Sequence, residues 1–174
     1  MPSYKAPVAD FEFLLFDVLE IEKHTDLPGY GELDRATVHD VLEGAGKFMA
    51  EVLQPLNQVG DEEGCHLENG VVRTPRGFVE AYGRFVEGGW GSLPFDPAFG
   101  GQGLPWVVAI ATQEMWNAAN LSLALSPLLT QGAIELLSAH GSDAQKQAYL
   151  PKMISGEWTG TMNLTEPQAG SDVG

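Results

Sequence analysis

Apolar residues recur at helical spacing along most of this chain, and this periodicity constrains the fold more than any other feature. The clearest case runs from Asp34 to Leu56, where apolar side chains follow one helix face for about five turns. Asp34 suits the N-cap of this helix, and Pro55 marks its end. The apolar positions on this face are Val38, Val41, Leu42, Ala45, Met49, Val52, Leu53 and Leu56.

Shorter helices are predicted on both sides of this segment. Phe11 to Leu19 carries the single apolar stripe of a short amphipathic helix. Thr74-Pro75 combines an N-cap residue with proline at the first helical position, and Gly88-Gly89 ends the helix that follows. Gly60 to Gly70 is acidic and contains glycine, so we predict a loop there.

The second half of the chain predicts a buried helix between two breaks. Leu93 to Pro105 contains three prolines and three glycines, which exclude a helix or a central strand. Trp106 to Asn120 is apolar on nearly every face, as expected for a helix in the middle of a bundle. Ser126-Pro127 then predicts the start of another helix, which Gly141 ends.

The hydrophobic period changes near the end of the chain. Ser142 and Gln145 form a capping box for a last helix, which Pro151 should bend or end. Trp158 to Thr165 then alternates like a strand, and because a lone strand has no partner we infer a truncated β-domain. The predicted fold is mainly α: an N-terminal extension over residues 1–33, an up-and-down helical bundle over 34–157, and the first strand and turn of a β-domain over 158–174.

Charge and cysteine content restrict the partners and the compartment. Nine Lys and Arg residues face 24 Asp and Glu residues, a formal net charge of −15, which opposes binding to nucleic acid or to an anionic membrane. The apolar region from Leu104 to Leu137 is interrupted by polar residues, so we expect no membrane span. The single cysteine, Cys65, and the absence of a visible secretory signal favour a cytoplasmic protein.

The strand-like segment and the turn after it carry the most chemical information. Thr159, Thr161, Asn163 and Thr165 would place hydroxyl and amide groups on one face, where they could hydrogen-bond a flat heterocycle. Residues 167–171 offer backbone N–H groups, a glycine and a hydroxyl, the groups that hold a pyrophosphate. An edge strand with a polar outer face and an ordinary turn explains the same residues, and both interpretations stay open.

Three segments resemble the acyl-CoA dehydrogenase family. Met162 to Val173 is similar to the family signature that joins the helical domain to the middle β-domain. Asp96 to Leu104 resembles the family's Pro-Glu-Tyr-Gly-Gly loop, and Gly141 to Pro151 resembles its Gly-Thr-Glu-Glu-Gln-Lys segment. The resemblance covers roughly Thr37 to Gly174, and the N-terminal extension looks like that of the larger bacterial members, including the branch acting on methylthiopropanoyl-CoA.

The resemblance implies an FAD site and an acyl-CoA substrate. Ser171 matches the serine near the flavin pyrophosphate and the pantetheine arm, and Gln168 stands where the family turn has glycine. The loop from Phe99 to Gly103 looks like part of the acyl-pocket entrance, or is only a tight interhelical turn. The implied cofactor-binding residues are Met162, Asn163, Leu164, Thr165, Gly170 and Ser171.

The family reaction implies groups that this chain does not contain. A glutamate base removes the α-proton of the thioester while a hydride leaves the β-carbon for flavin N5. We expect that base beyond Gly174, so no catalytic residue is assigned here, and Glu166 is expected to form a structural ion pair. The resemblance also implies electron-transfer flavoprotein as electron acceptor and a dimer or tetramer when full length. We expect these 174 residues alone to bind FAD weakly and to be inactive.

Two other classes remain as alternatives. The chain could be a helical interaction module without a cofactor, or a DNA-damage-response relative of the same fold, which the charge of −15 opposes. No metal site is predicted, because the acidic run at residues 61–63 lacks the alternation of a Ca²⁺ loop and the histidines lack metal-ligand spacing. Those histidines are His24, His39, His66 and His140.

Overall fold

Helices account for most of the residues that the computed structural model describes, which are 4–31 and 33–170. This architecture confirms the prediction of a mainly α fold. The α-helices are α1 (Val8–Glu12), α2 (Arg35–Phe48), α3 (Asn57–Glu63), α4 (Phe78–Glu87), α5 (Trp106–His140) and α6 (Asp143–Ile154). Two short strands, β1 (His66–Glu68) and β2 (Val71–Arg73), form an antiparallel hairpin. A π-helix (Phe13–Val18) extends α1. A second π-helix (Met49–Leu53), followed by a 3₁₀ turn (Gln54–Leu56), extends α2. Two further 3₁₀ turns are Ile21–Lys23 and Pro97–Phe99.

The long helix α5 lies at the centre of the bundle and contacts α2, α3 and α6. Its Trp116 ring meets the Phe85 ring of α4 edge-on, with 4.9 Å between the ring centroids. From α2 and its extension, six of the eight predicted apolar positions are buried, while Val41 and Leu56 are partly buried against the same core. Burial of this apolar face is the main source of the bundle's stability.

The predicted caps of α2 and α6 are both present. The side chain of Asp34 accepts a hydrogen bond from the Thr37 amide at 2.7 Å. At the start of α6, the Ser142 amide donates to Gln145 Oε1 at 2.9 Å, and the Gln145 amide donates to the Ser142 hydroxyl. These contacts satisfy N–H groups that have no partner inside the helix.

The structure corrects the predicted division of α5. One helix starts at Trp106 and is interrupted at Asn120, which has φ −160° and ψ 88°, and Pro127 lies inside the second half instead of opening it. The Asn120 side-chain oxygen accepts from the Leu123 amide at 3.1 Å, so this residue caps the second half. Its amide nitrogen donates to the carbonyl of Leu53 at 3.1 Å.

Residues 60–70 were predicted to be a loop, and this prediction is wrong. Helix α3 extends to Glu63, and the hairpin of β1 and β2 follows it. Asn69 and Gly70 form its turn with φ of 51° and 79°. An Asn-Gly pair between extended segments is a strong hairpin signal, because both residues tolerate positive φ.

Two predicted helix ends also differ from the structure. Helix α4 begins at Phe78 instead of at Pro75, because Gly77 has φ 84° and supplies the N-cap position. Pro151 lies inside α6, which continues to Ile154. Proline inside a helix removes one backbone hydrogen bond and kinks or ends the helix, and of these two predicted outcomes the structure contradicts the end at Pro151.

The strand predicted over Trp158 to Thr165 is absent. The segment from Thr159 to Thr165 has no regular secondary structure within the described residues. A strand is stable only when another strand pairs with its backbone, and no described strand pairs with this segment. The proposed division of the chain into three parts stays a prediction.

The N-terminal segment packs on the bundle through fewer residues than its periodicity predicts. Phe11 and Leu15 are buried, together with Phe16. Leu14 and Leu19 from the predicted stripe are exposed. The switch from α-helix to π-helix at residue 13 rotates the later side chains away from a regular 3.6-residue repeat.

Helix α5 is long and apolar enough to span a membrane by length and composition alone. Core helices of bundles meet the same criterion, and α5 buries Val108, Met115 and Trp116 inside this bundle. The prediction that the protein does not enter a membrane remains a prediction.

The Asn120 cap predicts a stability difference between two nearby asparagines. Asn120→Leu should lower the free energy of unfolding by about 3 kcal/mol, because it removes the cap and leaves the buried Leu53 carbonyl unpaired. The half-buried side chain of Asn117 makes no hydrogen bond to the described residues, so Asn117→Leu should change the free energy of unfolding by about 0.5 kcal/mol or less. Equal losses in urea unfolding would contradict the assigned role of Asn120.

A histidine-carboxylate contact joins α1 to α2 and predicts a pH-dependent stability. His39 Nδ1 lies 2.7 Å from Glu12 Oε1. That hydrogen bond is the main reason that the pKa of His39 is raised, and it outweighs desolvation; the charges of Glu12, Glu43 and Asp40 act in the same raising direction. A raised folded-state pKa stabilises the protein below the ordinary histidine pKa of about 6.5, and this stabilisation is lost as the pH rises through the folded-state value.

We therefore expect His39→Asn to lower Tm at a pH of about 5.5 and to have little effect at a pH of about 9. Thermal unfolding followed by circular dichroism measures both values. His66→Asn on the exposed hairpin is the matched control, because His66 makes no ion pair in the described part of the chain. A His39→Asn effect that is independent of pH would refute the contact.

Candidate functional site

The chain leading into the predicted cofactor segment is held against the bundle by three hydrogen bonds. The Tyr82 hydroxyl donates to the carbonyl of Gly156 at 3.1 Å, and the Trp158 amide donates to the carbonyl of Lys152 at 3.0 Å. The Gly160 amide donates to the hydroxyl of Thr130 at 3.1 Å. Burial raises the pKa of Tyr82, which keeps this phenol protonated and able to donate.

The Trp158 ring adds contacts to the same stretch. The ammonium group of Lys152 lies 4.5 Å from the centroid of that ring, a cation-π contact. The Tyr149 ring of α6 also packs against the Trp158 ring, with 6.0 Å between the two ring centroids. Residues 156–160 are therefore fixed to α4, α5 and α6.

The predicted cofactor residues lie together in one exposed run after this anchored stretch. Met162 is 62% exposed and Leu164 is 52% exposed, with Asn163 and Thr165 exposed beside them. Residues 161–165 make no hydrogen bond within the described part of the chain. Their backbone N–H and C=O groups therefore have no protein partner among the described residues.

Because no strand forms, the polar side chains predicted for one face of this segment do not line up on a common face. Thr159 lines a cavity, while Thr161, Asn163 and Thr165 are exposed beyond it. Side chains alternate between two faces only when the backbone is held in a regular strand.

The turn after this run is closed by two hydrogen bonds between Glu166 and Ala169, at 3.0 and 3.1 Å. Gln168 has no positive φ in this turn, so a side chain is tolerated where the resembling family has glycine. Gly170 has open space around it, and Ser171 lies outside the described residues. The ion pair expected for Glu166 is not formed in the described part of the chain.

A cavity of about 500 Å³ lies next to the anchored stretch, between α3, α4 and α5. Gly60 shapes it, because a Cβ atom there would stand 2.8 Å from the ring of Phe78. The lining is mainly apolar with several hydroxyl groups, the usual composition of a small-molecule pocket. The lining residues are Gly60, Gly64, Cys65, Thr74, Pro75, Phe78, Val79, Tyr82, Ser122, Leu123, Ser126 and Thr159.

The loop from Phe99 to Gly103 is a tightly bonded turn and does not line this cavity. The Gly101 amide donates to the Asp96 carbonyl at 3.0 Å, and Gln102 donates from its side chain to the carbonyl of Gly89 at 2.8 Å. A Cβ atom on Gly101 would overlap the Phe95 carbonyl group. These contacts make the loop a tightly bonded interhelical turn, and whether it also forms part of the acyl-pocket entrance stays a prediction.

Sequence reasoning missed the residues that position the site. Thr130 and Gly160 are 30 residues apart, and neither belongs to a local motif that predicts their contact. Cys65 was identified only as an unpaired thiol, whereas it lines the cavity. Among the described residues, no group of three His, Cys, Asp or Glu side chains could hold a metal ion.

Known proteins similar to this chain agree on one family. A family model described as "Acyl-CoA dehydrogenase, N-terminal domain" matches residues 36–157. The 3-methylmercaptopropionyl-CoA dehydrogenase of Ruegeria pomeroyi is 48% identical over 171 residues, which are 98% of this chain and 29% of that protein. A butyryl-CoA dehydrogenase of Syntrophomonas wolfei is 34% identical over 178 residues, 99% of this chain and 29% of its own length.

The fold also matches a solved structure. The butyryl-CoA dehydrogenase of Megasphaera elsdenii aligns with a TM-score of 0.66 and 23% sequence identity, covering 82% of this chain and 35% of that one. At this identity the match concerns the fold alone. The chain spans less than a third of the length of these two curated relatives.

Replacing a glycine by alanine should have opposite effects on stability in the tight loop before α5 and on the exposed side of α5 itself. Gly101→Ala should destabilise the protein by about 2 kcal/mol or more, because the backbone must move away from Phe95. Gly132→Ala, on the exposed side of α5 with no atom within 4 Å of the new Cβ, should stabilise it by about 0.5–1 kcal/mol. Urea unfolding of both variants checks this, and a tolerated Gly101→Ala would show that the loop is loose.

Proposed function

The chain belongs to the acyl-CoA dehydrogenase family, and on that premise we propose that it is the N-terminal part of an FAD-dependent enzyme that desaturates an acyl-CoA thioester. The observation that carries this proposal is the run from Met162 to Thr165, which is exposed and makes no hydrogen bond to the residues that the structure describes. It begins directly after the wall of the 500 Å³ cavity. A cofactor segment and an apolar pocket thus lie side by side.

The residues present fit a flavin. A flat ring with polar edges needs apolar contact on its face and hydrogen bonds at its rim, and the exposed side chains of Met162 and Leu164 with the unbonded backbone of 162–165 offer both. Gly170 leaves open space in which a phosphate could approach the backbone. When bound, FAD supplies the two-electron oxidation of the carbon-carbon bond.

The cavity is proposed to form one wall of the acyl site. Its volume lies within the range of about 300–1,000 Å³ found for ligand pockets. Phe78 and Leu123 offer apolar surface to an acyl chain, and the hydroxyl-bearing residues Ser122 and Thr159 also line the cavity. This chain contributes binding, orientation and exclusion of water, and we place the catalytic glutamate in a part of the enzyme beyond these residues.

The relatives suggest a short acyl group. The relative that is 48% identical acts, by its name, on 3-methylmercaptopropionyl-CoA. The relative that is 34% identical acts, by its name, on butyryl-CoA. We propose a short, unbranched or thioether-containing acyl-CoA as the substrate. Electron-transfer flavoprotein as acceptor, a homodimer or homotetramer, and a cytoplasmic location complete the proposal.

The natural polypeptide that contains these residues tests the proposal. Purified, it should retain visible flavin absorption through gel filtration, and this absorption should bleach when 3-methylmercaptopropionyl-CoA or butyryl-CoA is added without oxygen. The 174 residues alone should bind FAD weakly and bleach with neither thioester. A full-length protein that holds no flavin, or whose flavin no acyl-CoA reduces, would overturn the proposed function.

Substitutions on the exposed run locate the cofactor. Met162→Asp should weaken FAD binding to the full-length protein by about 10-fold, because it replaces apolar contact by a charge. Leu67→Asp on the hairpin is the control, since Leu67 is 74% exposed and lies outside the site. Flavin titration followed by fluorescence measures both constants, and equal affinities would place the flavin elsewhere.

A further inference from the structure

One hydroxyl group joins the exposed cofactor segment to the central helix. Thr130 is 6% exposed, and its hydroxyl oxygen accepts a hydrogen bond from the Gly160 amide at 3.1 Å. The same hydroxyl donates to the carbonyl of Ser126 at 3.1 Å. A hydroxyl carries one proton and two lone pairs, so both hydrogen bonds form at once.

Gly160 is the matching half of this contact. A Cβ atom at Gly160 would stand 2.5 Å from the Ala133 methyl group and 3.0 Å from the terminal methyl of Met153. Its φ is not in the positive range, so close packing against α5 and α6 is what requires glycine here. Any side chain would push the segment away from both helices and lengthen the hydrogen bond to Thr130.

This contact is the last one before the chain leaves the bundle. Residues 161–165 make no hydrogen bond within the described structure. The two earlier hydrogen bonds hold residues 156 and 158 to α4 and α6, whereas only the Gly160 amide is bonded to α5. Five residues span at most about 17 Å, so the position of Gly160 limits where Thr165 can lie relative to α5.

The contact also lies next to the cavity wall. Ser122, Ser126 and Thr130 are four residues apart and therefore share one face of α5. Ser122 and Ser126 line the cavity together with Thr159, the residue directly before Gly160. The same part of α5, from Ser122 to Thr130, therefore forms part of the cavity wall and holds the start of the cofactor segment.

We propose that Thr130 is a positioning residue, whose hydroxyl sets the backbone of Met162 to Thr165 in register with the acyl side of the pocket. It touches neither substrate nor cofactor and acts through Gly160. The inference rests on the proposed function, because it requires flavin to bind along residues 162–165. Binding sites depend on such supporting contacts to hold their geometry before the ligand arrives.

The test compares three variants of the full-length protein. Thr130→Val keeps the shape of the side chain and removes both hydrogen bonds, whereas Thr130→Ser keeps the hydroxyl. Thr112→Val is the matched control, because the Thr112 hydroxyl is also buried in α5 and donates only to its own helix, at Ala109. Two quantities are measured: amide hydrogen exchange over residues 160–165 in the flavin-free protein, and the Kd for FAD.

Thr130→Val should raise exchange at the Gly160 amide at least about 10-fold and weaken FAD binding by about 10-fold, and Thr130→Ser should restore both. Thr112→Val should change neither, even where it lowers Tm. Unchanged exchange in Thr130→Val would overturn the anchor. Raised exchange with an unchanged Kd would overturn the positioning role and leave the proposed function standing, whereas a wild-type protein that binds no flavin overturns both.

Discussion

The buried side chain of Asn120 connects the two longest parts of the bundle. Its oxygen caps the second half of α5, and its nitrogen donates to the carbonyl of Leu53, the last residue of the π-helix that extends α2. Both groups are sealed from water, where an unpaired carbonyl would cost about 1–3 kcal/mol. The direction of the second half of α5 depends on this contact, and Ser122, Ser126 and Thr130 lie on that half.

The geometry of the candidate site consequently depends on how the helices pack against one another. The cavity lies between α3, α4 and α5, and the cofactor segment leaves the bundle at Gly160, directly beside it. An exposed run with unbonded backbone groups is costly for a folded chain to bury without a partner. A ligand or a neighbouring domain that supplies hydrogen bonds would satisfy these groups, which supports the proposal that the run is one part of a larger binding surface.

Local sequence rules predicted the parts of the fold that depend on neighbouring residues. The stripe along α2, the cap at Asp34 and the capping box at Ser142 were all expected, and each involves groups three or four residues apart. The same rules were wrong where a buried contact decided the outcome. The second half of α5 starts at the Asn120 break and not at Ser126-Pro127, where a new helix was expected to start. Trp158 to Thr165 forms no strand, because no described strand pairs with it.

By itself, the sequence determined the helical class, most helix faces and the family signature, because periodicity and motifs are properties of adjacent residues. Only the tertiary structure decided how these pieces make a site. The Asn120 and Thr130 contacts join residues 67 and 30 positions apart, and the cavity forms from three helices. No local pattern encodes such distances, since they follow from how apolar helix faces pack around α5.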